Sequence, residues 1–208
     1  MTMRERLLGN QRPPLHKDPF AIFLAVIIFL FAAVALYSFR YVAIHVDGKS
    51  MLNTLEDGDY LIADRWASAD YGDIVVVESE VDGKPSRIIK RVIAMGGDTL
   101  FLQYGEVFIK YSGEDEFVLL DEPYIQAENN DPYLFINNIP SVNDPVTVPD
   151  GEIFVMGDNR NISSDSRERG TFTRGETTGV ITGWSLEHRQ FLADLYSALS
   201  FGSGRDDQ

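Results

Sequence analysis

Ile153-Phe154-Val155-Met156-Gly157-Asp158-Asn159-Arg160-Asn161-Ile162-Ser163-Ser164-Asp165-Ser166-Arg167 begins as four apolar residues and turns, at a glycine, into a polar run. From Asp158 to Arg167 that run holds two aspartates, two arginines and three serines. A solvated loop has no need of such an arrangement, because exposed ion pairs contribute only about 0–1 kcal/mol each. The order predicts a strand that delivers a set of charges and hydroxyls able to hold another group in place.

Working outward, the same strand rhythm recurs. Val42, Ile44 and Val46 alternate with Ala43, His45 and Asp47, the pattern of a half-buried strand. Tyr60 to Ala63, Ile74 to Val77, Ile88 to Ala94, Leu100 to Leu102 and Val107 to Ile109 read as further short strands. Turn signals separate them: Asp57-Gly58-Asp59, Asp82-Gly83-Lys84-Pro85, Gly96-Gly97-Asp98 and Pro149-Asp150-Gly151. Many short strands with regular turns predict an all-β domain, barrel-like or sandwich. Residues 112–148 break the rhythm with Asp, Glu, Asn and Pro and read as a small inserted lobe of loops and β-structure. Ser185 to Ser200 has helical spacing, with Leu186, Phe191, Leu195 and Leu199 on its apolar face, and Gly202 to Gln208 reads as a frayed end.

The N-terminal side is of another kind. Phe20 to Phe39 contains no charge, and twenty such residues as a helix span roughly 30 Å, the thickness of a bilayer's hydrocarbon core. Tyr37 and Tyr41 suit an interfacial belt. Residues 1–18 carry Arg4, Arg6, Arg12 and Lys17 against Glu5 and Asp18, a net of +2. Positive flanks stay cytoplasmic, so 1–19 reads as an inside tail, 20–40 as a membrane anchor and 41–208 as an exported domain. That domain holds thirteen basic and thirty acidic residues, a net of −17, which disfavours nucleic acid as a partner. The chain has no cysteine, so thiol chemistry is excluded and the domain depends on its packed core.

Two more stretches interrupt the strands: Gly48-Lys49-Ser50-Met51-Leu52-Asn53-Thr54-Leu55, ten residues past the anchor, and Arg87-Ile88-Ile89-Lys90-Arg91-Val92-Ile93. Alternation puts Lys90 on one face with Ile88 and Val92, and Arg91 on the other with Ile89 and Ile93. A lysine flanked by apolar neighbours is a candidate for burial, which lowers its pKa toward the range of a usable base. Snorkelling to solvent, or pairing with a carboxylate, is the alternative for Lys90. A serine hydroxyl needs a base before it attacks. His16, His45 and His188 lie in no Ser-His-Asp arrangement, and no His/carboxylate cluster has metal spacing. A Ser-Lys pair is the remaining nucleophilic option.

Together these segments resemble bacterial signal peptidase I, the membrane-anchored Ser-Lys peptidase family. The resemblance runs through the anchor, Gly48-Lys49-Ser50-Met51 with Thr54-Leu55, Gly58-Asp59, Lys90-Arg91-Val92-Ile93-Ala94 with Gly97-Asp98, and Gly157 to Arg167. It implies a mainly β, barrel-like antiparallel catalytic domain with a small inserted lobe, behind one transmembrane helix. It implies Ser50 as nucleophile, Lys90 as general base and Ser163 as the hydroxyl that orients the lysine amine. Asp158, Arg160, Asp165 and Arg167 match positions that brace the site, and Met51 matches an apolar residue at the membrane-facing lip. The Ser50 N–H would be one oxyanion donor; the second is open, because the position that carries a serine in some members is Gly48 here. Implied partners are secreted preproteins with small residues before the cut, membrane lipid and, as a candidate, the secretion translocon; no cofactor and no metal are implied. Two departures stand out: Asn53 and Gly96 replace prolines usual in the family, which frees two backbone turns. They motivate one alternative, a weakened signal-peptide-binding module; another is a narrow-substrate processing peptidase of the same family.

Overall fold

A computed structural model describes residues 19–81, 83–131 and 140–200. The expected inside tail up to residue 18, part of the inserted lobe and the frayed end lie outside the described residues. The chain divides into two units, 1–40 and 41–208.

In the first unit, helix α1 (Pro19–Arg40) has no buried residue. It is long and apolar enough to cross a membrane, with a mean hydropathy of 2.9 over its most apolar window. A core helix would bury its apolar face; this one leaves every side exposed.

The second unit is mainly antiparallel β. Its strands are β1 (Tyr41–His45), β2 (Tyr60–Asp64), β3 (Ile74–Val81), β4 (Lys84–Met95), β5 (Thr99–Gln103), β6 (Glu106–Lys110), β7 (Val118–Leu119), β8 (Val146–Thr147), β9 (Glu152–Met156), β10 (Phe172–Thr173) and β11 (Thr177–Ile181). Seven of them form one sheet in the order β1-β2-β11-β3-β4-β9-β10, and four form a second, β7-β6-β5-β8. The second sheet therefore starts at Thr99, ahead of the lobe read from composition at 112–148. Alternation marks a strand but not its sheet, so β5 and β6 were legible as strands and not as the lobe's base.

Three apolar clusters explain the sequence of the central strands. Ile74 and Val76 of β3 face one cluster with Ile44, Met51, Leu55 and Leu61. Val75 and Val77 face another with Val92, Val155 and Phe172. With both faces covered, β3 reads as an unbroken apolar run. β9 does the same: Ile153 and Val155 join the cluster of Val75, while Phe154 and Met156 join a third with Ile93, Leu100 and Ile109. β4 touches all three clusters and shifts register against β9 between Val92 and Ala94.

Two expectations need correcting. β11 carries no strand pattern in the sequence, yet it sits mid-sheet between β2 and β3. Its Gly179 concealed it: a Cβ there would come within 3.0 Å of the Asp64 carbonyl oxygen, so glycine is required where β11 and β2 approach. The C-terminal helix is two, α2 (Gly183–Glu187) and α3 (Arg189–Ser200). The break at His188 resets the helical phase. Leu192 is buried and Leu186 packs on the core, while Phe191, Leu195 and Leu199 of the predicted apolar face are exposed.

Candidate active site

The serine loop is fixed at both ends by the backbone. After β1, Val46 N–H donates to the Asp59 carbonyl and Gly58 N–H to the Val46 carbonyl, each at 2.9 Å. Gly48 takes φ +97°, a left-handed conformation that favours glycine, and its N–H donates to Asp57 Oδ1 at 2.8 Å. Gly48 thus has no side-chain donor, and its backbone N–H is already engaged. One helical turn follows, closed by Leu55 N–H on the Met51 carbonyl at 2.8 Å. Met51 and Leu55 point into the core, 2% and 0% exposed, so Met51 is a buried anchor and not an exposed lip. The turn directs it inward while Ser50 stays half-buried at the surface. Asn53 is exposed and its peptide with Leu52 is cis.

Lys90, mid-strand on β4, is 3% exposed, and its Nζ donates to Ser50 Oγ at 2.7 Å and to the Ile89 carbonyl at 2.9 Å. Burial pushes its pKa from 10.5 down to about 8; the Asp165 charge works against that shift, and the Arg169 and Arg167 charges with it. No carboxylate forms an ion pair with it among the described residues.

The block after β9 is a buried lattice of charges around this pair. Asp165 accepts from Arg167 at two points, Nε to Oδ1 at 2.8 Å and Nη2 to Oδ2 at 2.9 Å, and from the Gly157 N–H at 2.9 Å. Burial alone would raise the Asp165 pKa, but Arg167, the Gly157 N–H and Ser163 together hold it below the usual carboxylate range. Arg167 also donates to the Arg160 and Ser163 carbonyls. Arg160, 2% exposed, donates to the Gly157 carbonyl and pairs with Glu122. Asp158 accepts a two-point bond from Arg91, at 2.9 and 2.6 Å, and a short one from the Thr54 hydroxyl. The four positions expected to brace the site are thus all buried and all paired.

Ser163 is placed differently from its neighbours. Its hydroxyl lies by the Asp165 carboxylate and is 2% exposed, yet no partner meets it at hydrogen-bonding geometry among the described residues. It makes no hydrogen bond to Lys90. It packs with the Ser50 carbonyl over Gly157, where a Cβ would overlap both. Gly157 keeps ordinary φ; what it supplies is the missing side chain, letting the serine loop and the charged block come together. Asn159 N–H completes that junction on the Ser50 carbonyl at 3.0 Å.

Residue chemistry alone did not single out Arg91, Thr54, Asn159 or Glu122. Arg91 was visible as the cation next to Lys90; its guanidinium sits 3.9 Å from the centroid of the Tyr124 ring and bonds the Gly72 carbonyl. Glu122 and Tyr124 belong to the 112–148 segment, which therefore contributes a carboxylate and an aromatic face to the site's support. Gly96 also reads differently in three dimensions: a Cβ there would come within 2.8 Å of Gly151 N and 2.9 Å of the Pro149 carbonyl. The glycine admits a neighbouring turn and does not merely loosen its own.

A cavity of about 270 Å3 opens beside Ser50 and Lys90, walled by Ala43 to His45 and Asp47 on one side and Arg87 to Ile89 on the other. Among the described residues, both walls end in strand edges without a pairing partner. β1 is the terminal strand of its sheet, and β4 is paired on one side only from Lys84 to Lys90, because β9 engages it from Arg91 onward.

A serine hydroxyl on a buried lysine amine, set at a groove between two free strand edges, is the make-up of a peptidase. Comparison with known proteins gives the family: residues 20–184 match the model described as signal peptidase, peptidase S26, and the chain belongs to that family. It is 34% identical over 162 residues to signal peptidase I of Streptococcus pneumoniae, covering 65% of this chain and 78% of that one. Against signal peptidase I of Bacillus amyloliquefaciens it is 33% identical over 165 residues, covering 75% and 82%. A solved signal peptidase I from Enterococcus faecalis V583 superposes with a TM-score of 0.42 at 26% identity, over 56% of this chain and 98% of that one. The protein is accordingly a peptidase, a hydrolase of the family that removes signal peptides.

Proposed function

We propose that the protein cuts signal peptides from preproteins by a Ser50-Lys90 dyad at the outer face of the cytoplasmic membrane. The observation that carries this is the 2.7 Å hydrogen bond from a buried, carboxylate-free Lys90 amine to Ser50 Oγ. The preprotein's cleavage segment adds as an extended strand between the free edges of β1 and β4, where main-chain hydrogen bonds hold it. Neutral Lys90 takes the Ser50 proton as Oγ attacks the scissile carbonyl. The oxyanion is stabilised by the Ser50 N–H, which makes no hydrogen bond among the described residues. The C–N bond then breaks, Lys90 returns its proton to the leaving amine, and it next deprotonates the water that frees the acyl-enzyme.

Ser163 is assigned to the lysine. A lysine ammonium has three protons, of which Ser50 and Ile89 accept two, and the oxygen of the Ser163 hydroxyl, beside Asp165, is the acceptor suited to the third. Asp158, Arg160, Asp165 and Arg167 act through the backbone they hold and do not touch substrate. Preference for small residues before the cut follows from the family resemblance. α1 spans the membrane with residues 1–19 inside, following the positive flank.

Ser50→Ala and Lys90→Ala in detergent-solubilised full-length protein each lower kcat/KM on a preprotein by about 10²–10⁴ or more. Cleavage at the wild-type rate by either variant refutes the dyad.

A further inference from the structure

Most of the domain's arginine charge is spent inside the fold. Arg91, Arg160, Arg167 and Arg189 each sit against a carboxylate, and Arg169 is held by Ser164, Ser79 and the Glu80 carbonyl. Of the rest, Arg87 lines the Ser50 groove, and Arg65 and Arg174 likewise have no carboxylate partner among the described residues. One follows β2 and the other lies in the turn from β10 to β11, yet both line a single cavity of about 390 Å3, separate from the Ser50 groove. Arg174 donates to the Ser68 hydroxyl at 3.3 Å, and Ala69, Met95 and Ile153 give the cavity an apolar side.

The acids nearby are turned to other donors. Glu152, in the cavity wall, accepts from the Thr171 hydroxyl. Glu176, in the same turn as Arg174, accepts from the Thr173 N–H and hydroxyl, both at 2.7 Å. Asp64 takes the Trp66 N–H at 2.9 Å and Asp70 the Tyr71 N–H at 2.8 Å. Two arginines and a hydroxyl lining one cavity, with the wall's one carboxylate, Glu152, taken up by Thr171, fit a phosphate.

The position on the sheet narrows the source of that phosphate. Tyr41 is the first residue after α1, and its strand partner is Asp64. Cross-strand neighbours lie about 5 Å apart, so Arg65 and Trp66, one and two residues further on, lie within about 12 Å of Tyr41. Trp66 is 60% exposed. Exposed tryptophan and arginine beside a chain's exit from a bilayer occupy the headgroup level, where basic pockets bind lipid phosphates. The domain as a whole, at −17, is repelled by an anionic leaflet, so any attraction has to be local.

We propose that Arg65, Arg174 and Ser68 form a binding site for the phosphodiester headgroup of an anionic phospholipid. The site rests on α1 being a membrane span. Free phosphate would offer the same oxygens; the exposed Trp66 and the Tyr41 pairing favour the lipid.

The chain has two tryptophans, so Trp184→Phe leaves Trp66 as the sole reporter. The full-length Trp184→Phe protein is reconstituted into phosphatidylcholine vesicles with brominated acyl chains, with and without phosphatidylglycerol. Trp66 quenching deepens with phosphatidylglycerol, and Arg65→Gln/Arg174→Gln removes that dependence while Arg65→Lys/Arg174→Lys keeps most of it. Equal quenching in both vesicles, or a Gln variant that follows its parent, overturns the proposal. Loss of the dependence on adding millimolar inorganic phosphate would make this a free-phosphate site and overturn the lipid assignment. Cleavage of a preprotein in detergent stays at the parent rate in the Gln variant, which verifies its fold. Alkaline extraction separates the two readings: release of parent and variants alike sinks the membrane span, whereas retained protein that ignores phosphatidylglycerol sinks only the pocket.

Discussion

Lys90 and Arg91 are adjacent cations on one strand, and the fold treats them in opposite ways. Arg91 is given a two-point bond to buried Asp158, a hydroxyl from Thr54 and a Tyr124 face, and its pKa rises: burial pulls it down, but Asp158 outweighs burial. Lys90 is given a hydroxyl and a carbonyl but no ion pair, and its pKa falls to about 8. A paired buried charge fixes geometry; an unpaired one is kept ready to lose its proton. The Asp165-Arg167 pair repeats the first pattern, buried and bonded at two points.

The sharpest way to break the comparison is to make Arg91 resemble Lys90. Asp158→Ala leaves the half-buried Arg91 without its partner and should cost about 2–4 kcal/mol, measured by urea unfolding of the full-length protein in detergent. The reverse change relieves Lys90. Below pH 8 both folded and unfolded chains hold its proton, so the full burial penalty applies. Between pH 8 and 10.5 only the unfolded chain holds it, so the penalty fades as pH rises. Lys90→Met is therefore expected to be inactive yet up to about 3 kcal/mol more stable than wild type at pH 7, with the gain gone above about pH 10.5. A constant difference across that range would mean that Lys90 is not buried as a cation.

Gly157→Ala tests the wall between the two regions. Its Cβ overlaps Ser163 and the Ser50 carbonyl, so overpacking of about 1–3 kcal/mol should accompany a fall in kcat larger than the change in KM. The smallest effect is the pH profile. With Lys90 at about 8, the neutral fraction, and with it kcat/KM, rises about tenfold from pH 7 to pH 9 and then levels. A profile flat over that interval would remove lysine as the base.

Much of this was legible in the chain. Period-two patterning gave most of the strands that surround the site, because a strand with one face covered must alternate and one with both faces covered must not. The buried lysine was readable from Ile88 and Val92, which do pack together in one cluster. The C-terminal face misled, because one break at His188 rotates every later residue.

By itself, the sequence determined local matters: an uncharged helix of spanning length, the run of short strands, and the residue types that permit Ser-Lys chemistry. Tertiary structure decided which charges are paired. Asp158 finds Arg91 sixty-seven positions away and Arg160 finds Glu122 thirty-eight away, across separate elements. Spacing along the chain cannot encode such meetings, because they depend on strand register and on glycines such as Gly157 and Gly179 that let backbones close. The same closure leaves Lys90 without a carboxylate, and that omission, more than the lysine itself, makes it fit to be a base.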